Sequence, residues 1–169
     1  MKIVAFFSFL LMLCSCWPTS VSFKDKGSMP ESWKTFSVKT LDINAANCPL
    51  SYAATLSENL KDGIQNNTRL ALSTSIGKAE VNIEGTITNY NVMPLAIQGE
   101  DNASQNRLSI TVQFSIFVTK PEEETINLTV TRFADFNSAT NLASIETQLL
   151  EEINAQIIQD VINKLLSNW

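Results

Sequence analysis

Few side chains in this sequence could do chemistry, and they are scattered. The chain of 169 residues has no histidine. That removes Ser-His and Cys-His nucleophile systems, and every histidine metal site with them. The three cysteines are Cys14, Cys16 and Cys48. Cys48 stands in Asn47-Cys48-Pro49, where a loop could hold either a reactive thiol or a small packed one. Glu122, Glu123 and Glu124 follow Pro121, but no further ligands stand at the spacing of a calcium loop, so they read as a solvated turn. Glu151 and Glu152 are helix neighbours that point in different directions, so they form no acid–base pair. The five glycines are scattered singly and build no phosphate loop. Asn66, Asn102 and Asn127 head Asn-x-Ser/Thr triplets, which in so asparagine-rich a chain read as composition. The residues point to a protein that is not an enzyme and holds no metal and no cofactor.

The most specific chemistry is covalent and lies at the start. Met1-Lys2 gives a short positive segment, and residues 3–13 are apolar except for Ser8. That run is too short for a permanent membrane span and matches a secretory signal. Leu13-Cys14-Ser15-Cys16 then resembles the bacterial lipobox, with Leu at −3, a small residue at −1 and Cys at +1. The resemblance implies cleavage before Cys16 and acylation of Cys16. Cys14 competes, but it would place Leu13 at −1, where a small residue is wanted. The organisation is then a signal peptide at 1–15, a lipidated tether at 16–31 and one domain at 32–169. Cys48 is left without a disulfide partner.

The net charge is −5, and loss of Lys2 makes it one unit more negative. Acidity argues against nucleic acid and against a polybasic membrane patch. Several acyl chains would suffice for anchoring. No Asp follows Cys16 and no acidic cluster stands just behind it, which favours the periplasmic face of the outer membrane.

The elements follow from periodicity. Leu108, Ile110, Val112, Phe114, Ile116 and Val118 alternate with Ser109, Thr111, Gln113 and Ser115. Period two over this length predicts a long antiparallel strand with one dry face. Weaker strands are expected at 33–40 and 69–75, and a loop at 42–48. Another strand begins at Val81, with a bulge near Asn89 where the apolar parity flips; the parity flips back at Leu95 and Ile97. Pro94 suggests an edge or bulge. A turn at 121–124 leads to a returning strand through Ile126, Leu128 and Val130 that ends near Phe133. Pro49 opens a helix carrying Ala53, Leu56, Leu60 and Ile64, ended by Asn66-Asn67. A final helix, capped by Asn141 or Ser144, carries Ile145, Leu149, Ile153, Ile157, Val161 and Leu165 at i+4. The fold class is α/β (α+β): a two-layer sandwich of a mostly antiparallel four- to five-stranded sheet with two helices on one face.

The other sheet face should carry Asn82, Glu84, Thr86, Ser109, Thr111, Gln113, Ser115, Asn127, Thr129 and Thr131. Only one of these is charged. Charged residues make up 17% of the chain, against about 25% in an average soluble domain. Such a face suits contact with a polar protein wall, because burying it need not desolvate ions. Thr and Ser are equally acceptable on a solvated strand. Thr111, Gln113, Thr129 and Thr131 are the candidate partner-binding residues.

Several runs together resemble the LptE lipoproteins of Bacteroidota-type bacteria. They are Ile87-Thr88-Asn89-Tyr90-Asn91-Val92-Met93-Pro94-Leu95-Ala96-Ile97-Gln98, Asn106-Arg107-Leu108-Ser109-Ile110-Thr111-Val112 and Arg132-Phe133-Ala134-Asp135-Phe136. Leu60-Lys61-Asp62 with Thr68-Arg69-Leu70, and Asp160-Val161-Ile162-Asn163-Lys164 with Asn168-Trp169, also fit. The resemblance implies an outer-membrane lipoprotein that pairs with the β-barrel LptD, sits largely in its lumen, helps it fold and contacts lipopolysaccharide. By that resemblance Arg107 and Arg69 are candidate lipopolysaccharide contacts. Trp17-Pro18 and Cys48 depart from the family pattern. The alternative is a periplasmic lipid-binding accessory lipoprotein of another envelope lipid-trafficking system.

Cys16→Ala should accumulate as unprocessed precursor, with no acylated N-terminal peptide by mass spectrometry. Normal processing and acylation of that variant would remove Cys16 as the attachment site.

Overall fold

The computed structural model describes residues 29–95 and 104–167. The signal segment, Cys16 and most of the tether lie outside the described residues, as do residues 96–103, Ile97 among them, and Asn168-Trp169. The described elements are β1 (Thr35–Val38), β2 (Asp42–Ile43), α1 (Leu50–Asn67), β3 (Ala71–Leu72), β4 (Val81–Leu95), β5 (Gln105–Val118), β6 (Glu124–Asn137) and α2 (Leu142–Leu166).

They form one six-stranded sheet in the order β3-β1-β4-β5-β6, with β2 also on β4. The sheet is thus larger than four or five strands, and it is mixed. β4, β5 and β6 are antiparallel; β1 and β2 run parallel to β4, and β3 runs parallel to β1. β1 and β2 behave as one interrupted strand along the same edge of β4. Lys39 N–H reaches Ile83 O at 2.9 Å, and Asn44 N–H reaches Ile87 O at 2.8 Å. The expected strand at 33–40 shortens to β1, that at 69–75 to β3, and the expected loop at 42–48 contains β2. Two-residue strands carry no period; backbone pairing alone defines them. A parallel pair needs a long crossover, and the 18-residue α1 supplies it between β1 and β3.

β5 lies as its alternation dictates. Its six apolar side chains face both helices and join one core with Leu56, Leu60 and Ile64 of α1 and Leu149, Ile153, Ile157 and Val161 of α2. Asn141 caps α2 by accepting from Ala143 N–H at 3.0 Å. The bulge falls where parity predicts it: the β4–β5 register shifts between Ile87 and Asn89. Tyr90 therefore turns inward and is buried. The second flip does not occur by Leu95, which pairs in regular register with Gln105. Met93 and Leu95 consequently lie on the outer face. β6 also runs past Phe133 to Asn137. Gly77 takes φ +78° in the turn before β4, a conformation that costs other residues dearly.

The helices meet closely. A Cβ built on Gly63 would stand 2.4 Å from Ile158 Cγ2. Towards the start of α1, Tyr52 Oη donates to Asn154 Oδ1 of α2 at 2.7 Å, with both residues buried. Gly63→Ala should destabilise the domain by up to about 2 kcal/mol, because overpacking costs about 1–3 kcal/mol and alanine returns about 1 kcal/mol of helix propensity. Ile158→Ala removes the clashing methyl group, so the double variant should lose less than the sum of the single variants in urea unfolding. Strict additivity would mean that the helices do not meet here.

Candidate functional site

The outer face of the three long strands is a ladder of cross-strand rows. In order they are Met93–Arg107–Asp135, Asn91–Ser109–Phe133, Asn89–Thr111–Thr131, Thr86–Gln113–Thr129 and Glu84–Ser115–Asn127. Thr111, Gln113, Thr129 and Thr131 are thus brought together at its centre. Thr111 Oγ1 and Thr131 Oγ1 are 3.0 Å apart and share a hydrogen bond. Ser115 Oγ donates to Asn127 Oδ1 at 3.4 Å. Directly opposed pairs of this kind each stabilise a sheet by a fraction of a kcal/mol. The face is preorganised by its own strands.

Asn82 does not belong to this face as an exposed residue. It is 7% exposed, covered by the segment before β4. Its Oδ1 accepts from Ser37 Oγ at 2.8 Å and from Ala79 N–H at 3.2 Å, and its Nδ2 donates to Ala79 O at 2.7 Å. A buried amide needs such partners, and they are local to the β1–β4 end. The open face begins at Glu84.

One corner is different in character. Arg107 forms a bidentate pair with Asp135, Nε to Oδ1 at 2.7 Å and Nη2 to Oδ2 at 2.8 Å. The same guanidinium carbon stands 3.6 Å from the centroid of the Phe133 ring. The Arg107 hydrogen bonds hold the Asp135 carboxyl below its usual range. Phe133 and Met93 are each 43% exposed, so the corner offers apolar surface beside a neutralised ion pair. Phe133 and Met93 were missed as members of this face. Phe133 shares parity with Thr129 and Thr131, which was the available signal once the strand is extended.

Arg69 is elsewhere. It precedes β3, while Arg107 lies on β5, three strands away and so at least about 14 Å off. Its Nη2 donates to Met29 O at 2.8 Å and to Pro30 O, fastening the start of the described chain. The two arginines are not brought to one site. Cys48 is half-buried, and burial, followed by the nearby Glu146 carboxylate, pushes its thiol pKa up. A reactive cysteine needs the opposite shift. Among the described residues no group of three His, Cys, Asp or Glu side chains could hold a metal ion, and no helix is long and apolar enough to cross a membrane.

No curated protein matches the sequence. A minor lipoprotein from Acinetobacter baumannii shares the fold at TM-score 0.52 and 17% identity, over 80% of this chain and 94% of that one. A protein from Xanthomonas campestris aligns at TM-score 0.53 and 11% identity, over 87% and 91% of the two chains. At these identities the likeness establishes the fold alone. The family model for lipopolysaccharide assembly, LptE, matches residues 34–165, which span β1, all the long strands and nearly all of α2. The chain belongs to the LptE family of lipopolysaccharide-assembly proteins.

Proposed function

We propose that this chain is a non-catalytic outer-membrane lipoprotein, anchored through Cys16 on the periplasmic side. It pairs with an LptD-type β-barrel, occupies its lumen and assists its assembly for lipopolysaccharide transport. The observation that carries the reading is the outer face of β4, β5 and β6. It is broad, polar and uncharged through its three middle rows. A barrel lumen is a polar wall, and a face of hydroxyl and amide groups can exchange water for that wall without stranding an ion.

Arg107 is the better placed of the two candidate lipopolysaccharide contacts. It sits on this face beside exposed apolar groups, whereas Arg69 lies off the face; both have donors committed within the chain, Arg107 to Asp135 and Arg69 to backbone carbonyls. The acyl part of an amphiphile would find apolar surface at the Met93–Arg107–Phe133 corner, and its phosphate would have to compete with Asp135 for Arg107.

The test is a paired measurement on the full-length protein. Thr111→Lys with Thr129→Lys puts two ammonium groups into the proposed contact. Burying an uncompensated charge costs several kcal/mol, so barrel recovery in mild detergent should fall a hundredfold or more. Both sites are strand surface positions, so unfolding free energy should stay within about 0.5 kcal/mol. Full recovery of the barrel by a normally folded variant would show the sheet face to be merely solvated, with the contact on helices or loops.

A further inference from the structure

The strand order ends at β6, and among the described residues nothing pairs with its far edge. That edge is 14 residues long and holds no Pro, Gly or Lys. Where β4 passes beyond β2, its open edge carries the shift beside Thr88 and then Pro94. β6 has neither device: its pairing with β5 is regular from Glu124 to Asn137. A long, regular, open edge is a template for another strand.

The direction of the free backbone groups follows from the ladder. Ser138 N–H donates to Ser104 O at 3.0 Å, and the pairing is regular from there. Even positions of β6 therefore spend their backbone groups on β5, and odd positions from Thr125 to Asp135 turn theirs to the edge. A groove of about 580 Å³ runs beside that edge, lined by Leu128, Val130 and Arg132 of β6 and by Asp160 and Asn163 of α2. Ile126 and Leu128 are only partly buried there, although they belong to the apolar parity.

We propose that β6 pairs with β6 of a second copy, antiparallel about a two-fold axis at Leu128, so that the two sheets become one. The run Glu124-Thr125-Ile126-Asn127-Leu128-Thr129-Val130-Thr131-Arg132 is nearly symmetric about its centre and carries opposite charges at its two ends. Set against itself, it is self-complementary, as a two-fold interface requires. Leu128 meets Leu128, Ile126 meets Val130, Asn127 meets Thr129, Thr125 meets Thr131 and Glu124 meets Arg132, every unlike pair occurring twice. Directly opposed residues share a face, so apolar side chains meet on the helix side and hydroxyl and amide groups on the other. The hydrogen bonds agree: the odd pairs Asn127–Thr129 and Thr125–Thr131 present the backbone groups that the edge leaves free. Neighbouring symmetric registers fail. An axis at Asn127 sets Glu124 against Val130, and one at Thr129 sets Arg132 against Ile126, each placing a charge on an apolar side chain. Arg132 is the inward charge that repels an unmatched apolar strand. Asp160 takes its Nε and Nη2, both at 2.7 Å, which leaves Nη1 to meet the exposed Glu124 of the second copy. The pairing uses only the edge and leaves the outer faces uncovered, so it does not rest on the proposed barrel contact.

The test uses the full-length protein in mild detergent, without the barrel and in a Cys48→Ser background. Leu128→Cys lies on the proposed axis, whereas Thr131→Cys stands roughly 20 Å from its symmetry mate. Leu128→Cys should therefore form a disulfide-linked dimer at least about tenfold faster, although Thr131 is the more exposed residue. Equal rates, or a faster Thr131→Cys, would overturn the proposal. A second measurement changes only the outer face. An equimolar mixture of Asn127→Cys and Thr129→Cys proteins should give the mixed disulfide in preference to either symmetric one, and a statistical mixture would overturn the register. Glu124→Lys, at an exposed position, should leave the melting temperature unchanged and raise the dimer dissociation constant at least about tenfold in sedimentation, because like charges then face each other. A protein that sediments as a monomer at every concentration would overturn the proposal, and protection of the β6 amides only when the barrel is added would assign the edge to the barrel instead.

Discussion

One constraint governs this domain: β5 must keep the same face dry along its whole length. Leu108, Ile110, Val112, Phe114, Ile116 and Val118 are none of them more than 4% exposed. Burying such side chains is worth about 1.5–3 kcal/mol each. Six of them together match the entire net stability expected of a domain, about 5–15 kcal/mol. A slip of one residue would put all six into water. The strand therefore cannot drift, and its neighbours must fit its register. Both helices are recruited to the dry face, and the polar face is left open by the same necessity.

The bulge beside Thr88 shows how the neighbours adjust. β4 buries Val81, Ile83 and Ile87 on one parity, then Tyr90 on the other. A single inserted residue reconciles the two halves with an unbroken β5. It turns Tyr90 inward, where its hydroxyl donates to Glu146 of α2 and its ring meets Tyr52 of α1 edge-on, with centroids 6.4 Å apart. The irregularity in one strand thus ties the sheet to both helices. It also brings Asn89, Asn91 and Met93 to the outer face, so these residues rather than Tyr90 and Val92 complete the rows of the candidate site.

What could be read from the residues follows the same physics. β5, both helices, the Asn141 cap and the bulge are visible because burial repeats at a period, or breaks it at one point. β2 is not visible and β3 is visible only as an overlong strand at 69–75, because two residues cannot show a period and their pairing is a backbone matter. Asn82 read as surface because its parity is that of Glu84 and Thr86. Only the chain folding back over it, through Ala79, explains its burial. The Arg107–Phe133 stack was likewise hidden. Arg107 and Phe133 are separated widely in sequence, and they meet only because adjacent rows of an antiparallel pair bring diagonal neighbours within reach.

The charge pattern of the outer face bears on the proposed docking. An exposed sheet face gains solubility from scattered charges, at little cost. Here the middle three rows hold Asn, Ser, Thr, Gln and Phe and no ionised group. Charges appear only in the end rows, each with a counter-charge at hand. Arg107 is held by two short hydrogen bonds to Asp135, and Lys39 stands 3.9 Å from Glu84. Exposed pairs of this kind contribute little to folding, generally below about 1 kcal/mol. Stability alone does not account for them. Their consequence appears on burial: a surface whose charges are already neutralised loses far less solvation than one bearing a bare ion, for which the penalty is several kcal/mol. The same pairing leaves hydroxyl and amide groups free to re-form hydrogen bonds with a wall of similar chemistry. A face built this way gives up little when water leaves it, which is the property that the proposed docking against a barrel wall requires.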